Sequence, residues 1–421
     1  MTQRLLYTAL VWLLLPFAGL RLLWRAFKQP AYARHLGERF GRYAAAPQRP
    51  VIWLHAVSVG ETRAAAPLIT TLRERYPQHQ ILMTHMTPTG RATSESLFGN
   101  TVLVSYLPYD FPLAVARFFA HYRPVIGLIM ETEVWPNLIF QARRRAVPLW
   151  LINARLSEKS ARSYARVSGL TRQSLRGLSG ICAQTEADAD RLRALGAEHV
   201  HLCGNVKFDV APPEAMLARG QGWRQRFRTR PVFLAASTRE GEEALVLDAI
   251  ARVGAPDLLS LIVPRHPQRF DAVQTLIKSR GLKVQRRSAN TDIDASVQVV
   301  LGDSMGEMFA YYASCDIAFI GGSLLPLGGQ NLIEACAVGK PAIVGPYTFN
   351  FADATEQAIA AGAALRVGDA ADLADTVTQL IAHPAQRLQM GRAGLAFSQA
   401  HRGAVARILA TLDASGDLPP R

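Results

Sequence analysis

Short runs of apolar residues alternate with stretches of helical spacing from residue 51 to the end of the chain. Apolar runs of about four to eight residues separated by helical stretches predict parallel strands joined by helices. The first set of predicted strands is Val51–Leu54, Ile81–Thr84, Thr101–Val104, Val125–Met130, Pro148–Ile152, Gly180–Ala183 and Val200–Cys203. The second set is Val232–Ala235, Leu258–Val263, Leu282–Gln285, Val297–Leu301, Ile317–Ile320, Pro341–Val344 and Ala364–Val367.

Two consecutive prolines, Pro212 and Pro213 in "VAPPEAM", separate the two sets and mark a candidate linker. We therefore predict an α/β chain with two doubly wound, Rossmann-like domains that face a cleft. The predicted boundaries are 51–210 for the N-terminal domain and 211–421 for the C-terminal domain, after an N-terminal segment of residues 1–50. The return of the last helix to the N-terminal domain is left open.

The N-terminal segment contains a long apolar stretch, "LLYTALVWLLLPFAGL", without a charge. Extended to Trp24 it is about 20 residues, or about 30 Å as a helix, enough to cross a bilayer if Arg21 reaches the interface. Only Arg4 precedes it, so the positive-inside rule predicts an uncleaved anchor with a cytoplasmic body. A monotopic anchor stays open, and a cleaved signal peptide is the rival interpretation, because "AYA" resembles a cleavage site. The basic residues that follow are Arg21, Arg25, Lys28, Arg34, Arg39, Arg42 and Arg49.

The formal charge of +14, from 47 Lys and Arg against 33 Asp and Glu, predicts an anionic partner. Nucleic acid, a phospholipid surface and a phosphorylated substrate all fit that charge. The four cysteines have no C-x-x-C spacing, which indicates reduced core residues in a cytosolic compartment.

Polar and glycine-rich loops follow many of the predicted strands, at the edge where parallel sheets bind ligands. The first, "HAVSVGE", places Glu61 at the beginning of an alanine-rich helix. Two interpretations are open from the residues alone: a general base, and an ordinary first-turn helix charge. A helix amino end lowers a carboxylate's pKa, so for a base we expect anionic groups of the substrate to raise it again.

The richest loop is "GGSLLPLGGQNLIEA", from Gly321 to Ala335. Its glycines predict bare backbone N–H groups beside a helix amino end, which is a typical phosphate cradle. Asn331 is a candidate cap for that helix, and Glu334 could accept from ribose hydroxyls. The alternative is a plain tight connection with a buried cap. There is no G-x-G-x-x-G or P-loop motif, which disfavours dinucleotide enzymes and P-loop NTPases.

Two further loops suit an anionic nucleotide. "PRHPQRF" holds Arg265 between prolines, where a guanidinium could clamp a phosphate, although a surface turn is an alternative. "GDSMGEM" offers main-chain groups of residues 305–307 to a base edge. We predict no metal site, because the sequence has no H-E-x-x-H and no cysteine cluster. A helix amino end with Arg265 and Lys207 would then stabilise a leaving phosphate.

Together these loops resemble the bacterial 3-deoxy-D-manno-octulosonic acid (Kdo) transferase family. The resemblance lies in "HAVSVGE", "ETEVWPN", "NARLSEKS", "GNVKFD", "AASTREGEE", "DSMGEM", "GGSLLPLGGQN" and "GPYTFNF", in the family's order. It implies a GT-B glycosyltransferase with an N-terminal acceptor-binding domain and a C-terminal donor-binding domain. It also implies an inverting reaction without metal or cofactor, at the cytoplasmic face of the inner membrane, with transfer of Kdo from CMP-Kdo to a lipid A precursor.

By position, the resemblance makes Glu61 the proton acceptor and assigns Glu131 and Lys207 to support of the transition state. The residues that it implies for CMP binding are Pro264, Arg265, Met305, Gly306, Glu307, Asn331, Leu332, Ile333 and Glu334. The chain departs from the family at Gln330, commonly histidine, and at Leu332, commonly proline. Proline pre-organises a first helical turn, so we expect the donor affinity to differ more than the reaction.

Two other functions remain as alternatives. One is a GT-B transferase that uses another nucleotide sugar, such as a UDP-hexosamine, on a lipid acceptor. The other is a non-enzymatic, membrane-tethered basic protein. Nucleic acid is not a predicted partner, because the basic runs lack interleaved aromatic residues.

Overall fold

The computed structural model describes residues 2–44 and 46–420. Residues 1 and 45 of the predicted N-terminal segment, and residue 421 of the predicted C-terminal domain, lie outside them. The chain forms two compact units: residues 1–209 with 403–421, and residues 210–402. Residues 403–421, which the sequence analysis assigned to the C-terminal domain with a return of the last helix left open, belong to the first unit. The roles of the units in acceptor and donor binding remain predictions.

The first unit contains a seven-stranded parallel sheet in the order β3-β2-β1-β4-β5-β6-β7. Its strands are β1 Val51–His55, β2 Gln80–His85, β3 Leu103–Tyr106, β4 Pro124–Met130, β5 Leu149–Ala154, β6 Gly180–Ala183 and β7 Val200–Leu202. Its helices are α1 Thr2–Lys28, α2 Val59–Ala64, α3 Ala66–Arg75, α4 Pro88–Phe98, α5 Pro112–Tyr122, α6 Pro136–Arg144, α7 Glu158–Ala165, α8 Ser168–Leu175 and α9 Glu186–Ala194, with α18 Ala404–Ser415 at the end of the chain.

The second unit contains a seven-stranded parallel sheet in the order β10-β11-β9-β8-β12-β13-β14. Its strands are β8 Val232–Thr238, β9 Leu259–Pro264, β10 Val284–Arg286, β11 Val299–Leu301, β12 Ile317–Ile320, β13 Ala342–Val344 and β14 Ala364–Arg366. Its helices are α10 Glu214–Arg226, α11 Glu242–Arg252, α12 Phe270–Ser279, α13 Met308–Ser314, α14 Ile333–Ala337, α15 Ala352–Ala360, α16 Ala370–Ala382 and α17 Pro384–His401.

The central strands are mainly apolar, rather than alternating, because helices cover both faces of each sheet. All five residues of β1 are buried. Since successive strand residues point to opposite faces, Ile52 and Leu54 join one core layer, and Val51 and Trp53 join the other. The same burial explains why continuous apolar runs, rather than alternating ones, predicted these strands.

Helix α18 packs on the first layer through Ile408 and Leu412. The Asp209 carboxylate, which lies just before the second unit begins, accepts hydrogen bonds from the backbone N–H groups of Gly403 and Val405. A carboxylate at a helix amino end is stabilising, so Asp209 fixes the point at which the chain returns to the first unit.

Candidate functional site

The order of strands locates a switch point in each sheet. In the first unit the chain leaves β1 toward β2 and β3, and then resumes with β4 on the other side of β1. The second unit has the same arrangement at β8, between β9 and β12. Ligands of open parallel sheets bind beyond the carboxyl ends of the strands at such a point. Glu61 follows β1 and Glu131 follows β4, so both flank the switch point of the first unit.

The Glu61 carboxylate is held by the turn that carries it. Ser58 is the N-cap of α2, its hydroxyl donates to Glu61 Oε1 at 2.8 Å, and the Val57 N–H donates to Oε2 at 2.8 Å. The Ser58 hydroxyl oxygen also accepts the Glu61 N–H at 3.4 Å, so the pair resembles an S-x-x-E capping box, except that Glu61 accepts the N–H of Val57 rather than that of Ser58. Glu61 therefore does stabilise the first turn of a helix, as the alternative interpretation expected, and that contact also fixes the position of its carboxylate.

Burial raises the pKa of Glu61 to about 7, and the negative charges of Glu131 and Glu133 add to the rise. The hydrogen bonds from Val57 and Ser58 lower it by less. The sequence analysis expected the substrate's anionic groups to supply this increase. The protein's own burial and carboxylates already place the pKa close to neutrality, and the contribution of the substrate stays a prediction.

Glu131 and Lys207 form an ion pair beside Glu61. The Lys207 ammonium lies 3.1 Å from Glu131 Oε1, and both side chains are about four-fifths buried, with exposures of 18% and 20%. The backbone of Glu131 is left-handed, with φ of +60°. A non-glycine residue in that region carries strain that the surrounding structure must maintain, and such strain is typical of functional sites.

Asn153 joins the two sequence segments that carry this ion pair, and sequence reasoning did not single it out. It lies in β5 with φ of +51°, and its Oδ1 accepts from the N–H of Val206, at the start of the turn that holds Lys207. The neighbouring residue Ile152 accepts the N–H of Glu131. The motif "NARLSEKS" had flagged the loop, but a partner 53 residues away is not a local signal.

The structure thus brings Glu61, Glu131 and Lys207 together in the first unit. The residues predicted to bind CMP all lie in the second unit, beyond the ends of neighbouring strands. Residues 264 and 265 are at the end of β9, residues 305–307 follow β11, and residues 331–334 follow β12. Their binding roles remain predictions.

The expected phosphate cradle at Gly321–Leu324 needs a correction. The N–H groups of Gly322, Ser323 and Leu324 all donate to the Glu242 carboxylate, at 2.6, 3.0 and 3.0 Å. Glu242 is fully buried and also accepts the N–H of Arg239. These backbone groups are therefore not bare, because a side chain from the preceding crossover already occupies the anion site that they form.

Positive charge concentrates on the loops next to that turn. Burial lowers the pKa of His266, and the guanidinium groups of Arg239, Arg265 and Arg269 lower it further. The Arg265 N–H donates to the carbonyl of Thr238 at 2.9 Å, which ties the predicted phosphate clamp to the end of β8. Arg239 was not among the predicted site residues, although its loop, "AASTREGEE", was.

The remaining residues that were predicted to bind CMP differ in how far their side chains are buried. The side chains of Leu332 and Ile333 are fully buried, so only their backbone can face a ligand. The N-cap of α14 is Leu332 rather than the predicted Asn331; Asn331 lies one residue earlier, where its Oδ1 accepts the N–H of Ile333 at 3.1 Å and its Nδ2 donates to Glu334 Oε1 at 3.3 Å. Leu332 has φ of −76°, a value that proline also adopts.

In the loop at residues 305–307, the side chain of Glu307 is bonded to other residues of the second unit. Glu307 is 8% exposed and its carboxylate accepts from Arg219, Arg287 and the Ser304 hydroxyl. Gly306 has φ of +80°, a left-handed conformation that favours glycine. Any reading of a base edge here would therefore use the main chain, as the sequence analysis proposed.

Within residues 2–44 and 46–420, no group of three or more His, Cys, Asp or Glu side chains is placed to hold a metal ion. A cavity of about 480 Å³ lies in the first unit, between the start of α1, residues 132–136 and helices α7 and α8. Its lining includes Tyr7, Glu133, Trp135 and Leu170, so a largely apolar surface adjoins a carboxylate that influences Glu61.

Comparisons with known proteins agree with the motifs. A family model described as "3-Deoxy-D-manno-octulosonic-acid transferase (kdotransferase)" matches residues 34–210, and one described as "Glycosyl transferases group 1" matches residues 245–396. The 3-deoxy-D-manno-octulosonic acid transferase of Bordetella pertussis is 48% identical over 389 residues, which cover 89% of this chain and 90% of that protein. The chain belongs to the 3-deoxy-D-manno-octulosonic acid transferase family. A second family member, from Haemophilus influenzae, is 38% identical over 418 residues, 96% of this chain and 97% of that protein.

Solved structures show the same two-unit architecture. The structure of Anabaena Alr3699/HepE in complex with UDP matches with a TM-score of 0.57 at 15% identity, over 88% of this chain and all of that one. The UDP-GlcNAc 2-epimerase of Neisseria meningitidis matches with a TM-score of 0.59 at 17% identity, over 87% and 100%. At these identities the likeness concerns the fold alone. The predicted GT-B fold, preceded by an apolar N-terminal helix, is confirmed.

Proposed function

We propose that this family member transfers Kdo from CMP-Kdo to the lipid A precursor lipid IVA in lipopolysaccharide core biosynthesis, with inversion at the anomeric carbon and without a metal ion. The observation that carries the proposal is the environment of Glu61. Its carboxylate is fixed at the switch point of the first sheet, with a pKa of about 7, beside the Glu131–Lys207 pair. Membership of the Kdo transferase family supports Kdo as the sugar that is transferred. The geometry around Glu61 supports general-base catalysis.

Glu61 acts as the general base. A sugar hydroxyl is too weak an acid to attack unaided, and a base is most effective when its pKa lies near the working pH. Glu61 takes the hydroxyl proton while the oxygen forms a bond to the anomeric carbon of Kdo. The bond from that carbon to the phosphate oxygen of CMP breaks on the opposite face, and CMP leaves with the electron pair. A single displacement inverts the configuration, and one carboxylate suffices for it.

Glu131 and Lys207 support this step electrostatically. The Lys207 ammonium, held 3.1 Å from Glu131 Oε1, supplies a fixed positive charge near the reacting groups. Charges that are oriented before the reaction stabilise a transition state without a cost of reorganisation. Glu131 has a second effect, because its negative charge helps to raise the pKa of Glu61.

The second unit is the proposed site for CMP. Arg265 and the neighbouring Arg239 lie beside the switch point of that sheet and would meet the phosphate. The main chain at residues 305–307 and the turn at residues 331–334 would hold the base and the ribose. The N–H groups of Gly322–Leu324 already donate to Glu242. The proposal therefore assigns phosphate binding to these arginines rather than to the glycine-rich backbone.

The acceptor is a phosphorylated lipid, and the first unit has features that suit it. The cavity of about 480 Å³ is lined mainly by apolar and aromatic side chains, with Glu133 among them. Burial raises the pKa of Glu133, and Glu131 adds to the rise. The net charge of +14 favours an anionic leaflet, and we place the protein at the cytoplasmic face of the inner membrane.

The test is incubation of the full chain with fresh CMP-Kdo and a tetraacylated lipid A precursor in EDTA, followed by mass spectrometry of the lipid. We expect a product heavier by one or more Kdo units. Release of CMP without a heavier lipid would contradict the acceptor. A heavier lipid only after divalent metal is added would contradict the metal-free mechanism, and competition by UDP rather than CMP would contradict the donor.

A further inference from the structure

Helix α1 presents one side to the protein and the other side outward. Its partly shielded residues recur at helical spacing along its whole length: Arg4, Tyr7, Thr8, Val11, Leu15, Ala18, Gly19, Leu22, Arg25 and Ala26. Residues three and four apart lie on the same side of a helix. The shielding therefore follows a single face, rather than one end of the helix.

The amino-terminal end of α1 is docked on α6 and the loop before α5. The Tyr7 hydroxyl donates to Asp110 Oδ2 at 3.0 Å, and the Thr8 hydroxyl donates to Asn137 Oδ1 at 3.0 Å. The Arg4 guanidinium lies 3.5 Å from the centre of the Phe140 ring. These contacts join residues more than 100 positions apart in the chain, so they are tertiary contacts of the first unit.

The contact between Tyr7 and Asp110 is important to the docking because Asp110 is a buried carboxylate. It is 4% exposed, and its oxygens accept the backbone N–H groups of Asn137 and Leu138 at the start of α6, besides the Tyr7 hydroxyl. Burial raises its pKa to about 6. An ionised carboxylate in such a place depends on every donor that it has, and α1 supplies one of them.

The carboxyl-terminal end of α1 also leads back to the same unit. Eleven positions after Lys28, the side chain of Arg39 is buried and its guanidinium lies 3.9 Å from the centre of the Tyr106 ring. Arg39 also donates to the carbonyl of Met86 at 3.1 Å. Both ends of α1 are therefore attached to one body.

A helix that crossed the bilayer would hold one end about 30 Å from the other along the membrane normal. Residues 4–8 would then lie on the far side of the membrane from the globular unit. Every contact to Asp110, Asn137 and Phe140 would be lost. The apolar length of α1, by itself, fits both a spanning and an in-plane arrangement.

The outward face of α1 is strongly apolar and edged with basic residues. Its large side chains are between 48% and 90% exposed: Leu5, Leu6, Leu10, Trp12, Leu13, Leu14, Phe17, Leu20, Leu23, Trp24 and Phe27. Arg21 is exposed beside them, and the Lys28 ammonium lies 4.1 Å from the centre of a Trp24 ring. An apolar face edged with Arg and Lys is complementary to an anionic phospholipid surface, where such a helix lies in the interface.

We propose that α1 lies in the plane of the membrane, with its Arg4–Tyr7–Thr8 face docked on the first unit and its apolar face in anionic lipid, so that both ends of the helix are on the cytoplasmic side. This inference rests on the membrane location in the proposed function and replaces a spanning anchor with an interfacial one. It places the cavity beside Tyr7 at the level of the lipid surface.

The test uses thiol accessibility and needs no Kdo transfer. All four native cysteines are buried and Gln3, near the start of α1, is exposed, so the variant Gln3→Cys introduces an accessible thiol with little background. Full-length protein in right-side-out and inverted membrane vesicles would be treated with a membrane-impermeant maleimide. The control is Glu240→Cys, on a side chain that is 89% exposed in the second unit. We expect both variants to react in inverted vesicles only.

Reaction of Gln3→Cys in right-side-out vesicles only would overturn the proposal. A second variant covers the case in which residue 3 reacts from neither side. This variant is Thr8→Cys/Asn137→Cys. In the native protein the Thr8 hydroxyl lies 3.0 Å from Asn137 Oδ1, so copper–phenanthroline should oxidise the two introduced thiols to a disulfide in membranes. Absence of that cross-link would contradict docking. Because both readouts are independent of transfer, a failed transfer assay would leave this inference standing.

Discussion

The substitution Glu61→Gln should make the protein more stable at alkaline pH. Glutamine is neutral, and it can keep both native hydrogen bonds, with Oε1 accepting from Val57 and Nε2 donating to the Ser58 hydroxyl. The wild-type carboxyl has a folded-state pKa of about 7 against an ordinary value of 4.5. This difference corresponds to about 3 kcal/mol, at 1.36 kcal/mol per pKa unit.

The sign follows from linkage. A group whose pKa is raised in the folded state contributes stability that is fully present below its unfolded pKa and lost as the pH rises through its folded pKa. For Glu61 that loss begins near pH 4.5 and approaches about 3 kcal/mol at pH 8. The variant does not lose it, so the difference between variant and wild type should grow from under about 1 kcal/mol at pH 5 to about 3 kcal/mol at pH 8.

The assay is thermal unfolding of the full chain in detergent at pH 5 and at pH 8. For a unit of this size about 3 kcal/mol corresponds to a shift of about 6–12 °C in the transition. The matched control is Glu74→Gln, on an exposed glutamate of α3 in the same unit, for which we expect no such pH-dependent gain. The reasoning would be refuted if Glu61→Gln were no more stabilising at pH 8 than at pH 5.

Three further predictions concern the charged side chains of the two units. Glu131→Gln should move the acidic limb of the kcat/KM profile to lower pH, because its charge helps to raise the pKa of Glu61; an unchanged limb would contradict that coupling. Lys207→Ala should lower kcat by about 100-fold or more while the KM for the donor stays within a few-fold, and steady-state kinetics that showed a change in KM alone would argue against transition-state support. Glu242→Gln should destabilise the second unit by about 1–3 kcal/mol, because an amide oxygen cannot accept all the N–H groups at Gly322–Leu324; an unshifted unfolding transition would exclude this role.

Local patterns predicted the sheets well, because buried parallel strands are continuous apolar runs. Every predicted run overlaps an observed strand, and the limits of β6 and β12 are the predicted ones. The position of Glu61 was also accessible from sequence, since a carboxylate at the beginning of a helix that follows a buried strand is a local pattern. Family motifs then selected Glu131 and Lys207, which share an ion pair across 76 positions of the chain.

The errors concern contacts between distant residues. The glycine-rich turn after β12 predicted free N–H groups. In the structure these groups donate to the carboxylate of Glu242, which lies 80 positions earlier in the chain. The pKa of Glu61 depends on burial and on the carboxylates of Glu131 and Glu133, which follow β4, and no local pattern contains these contacts. The docked face of α1 was hidden for the same reason, because an apolar stretch has the same composition whether it crosses a membrane or lies on it.

The central claim, that Glu61 is the base, is tested most directly by Kdo transfer with Glu61→Gln. The rate of appearance of the Kdo-bearing lipid would be measured for wild type, Glu61→Gln and the control Glu74→Gln, with CMP affinity determined for each by calorimetry. We predict loss of transfer in Glu61→Gln alone, with CMP affinity within about two-fold of wild type in all three. Retained turnover in Glu61→Gln, with the donor bound normally, would contradict the account.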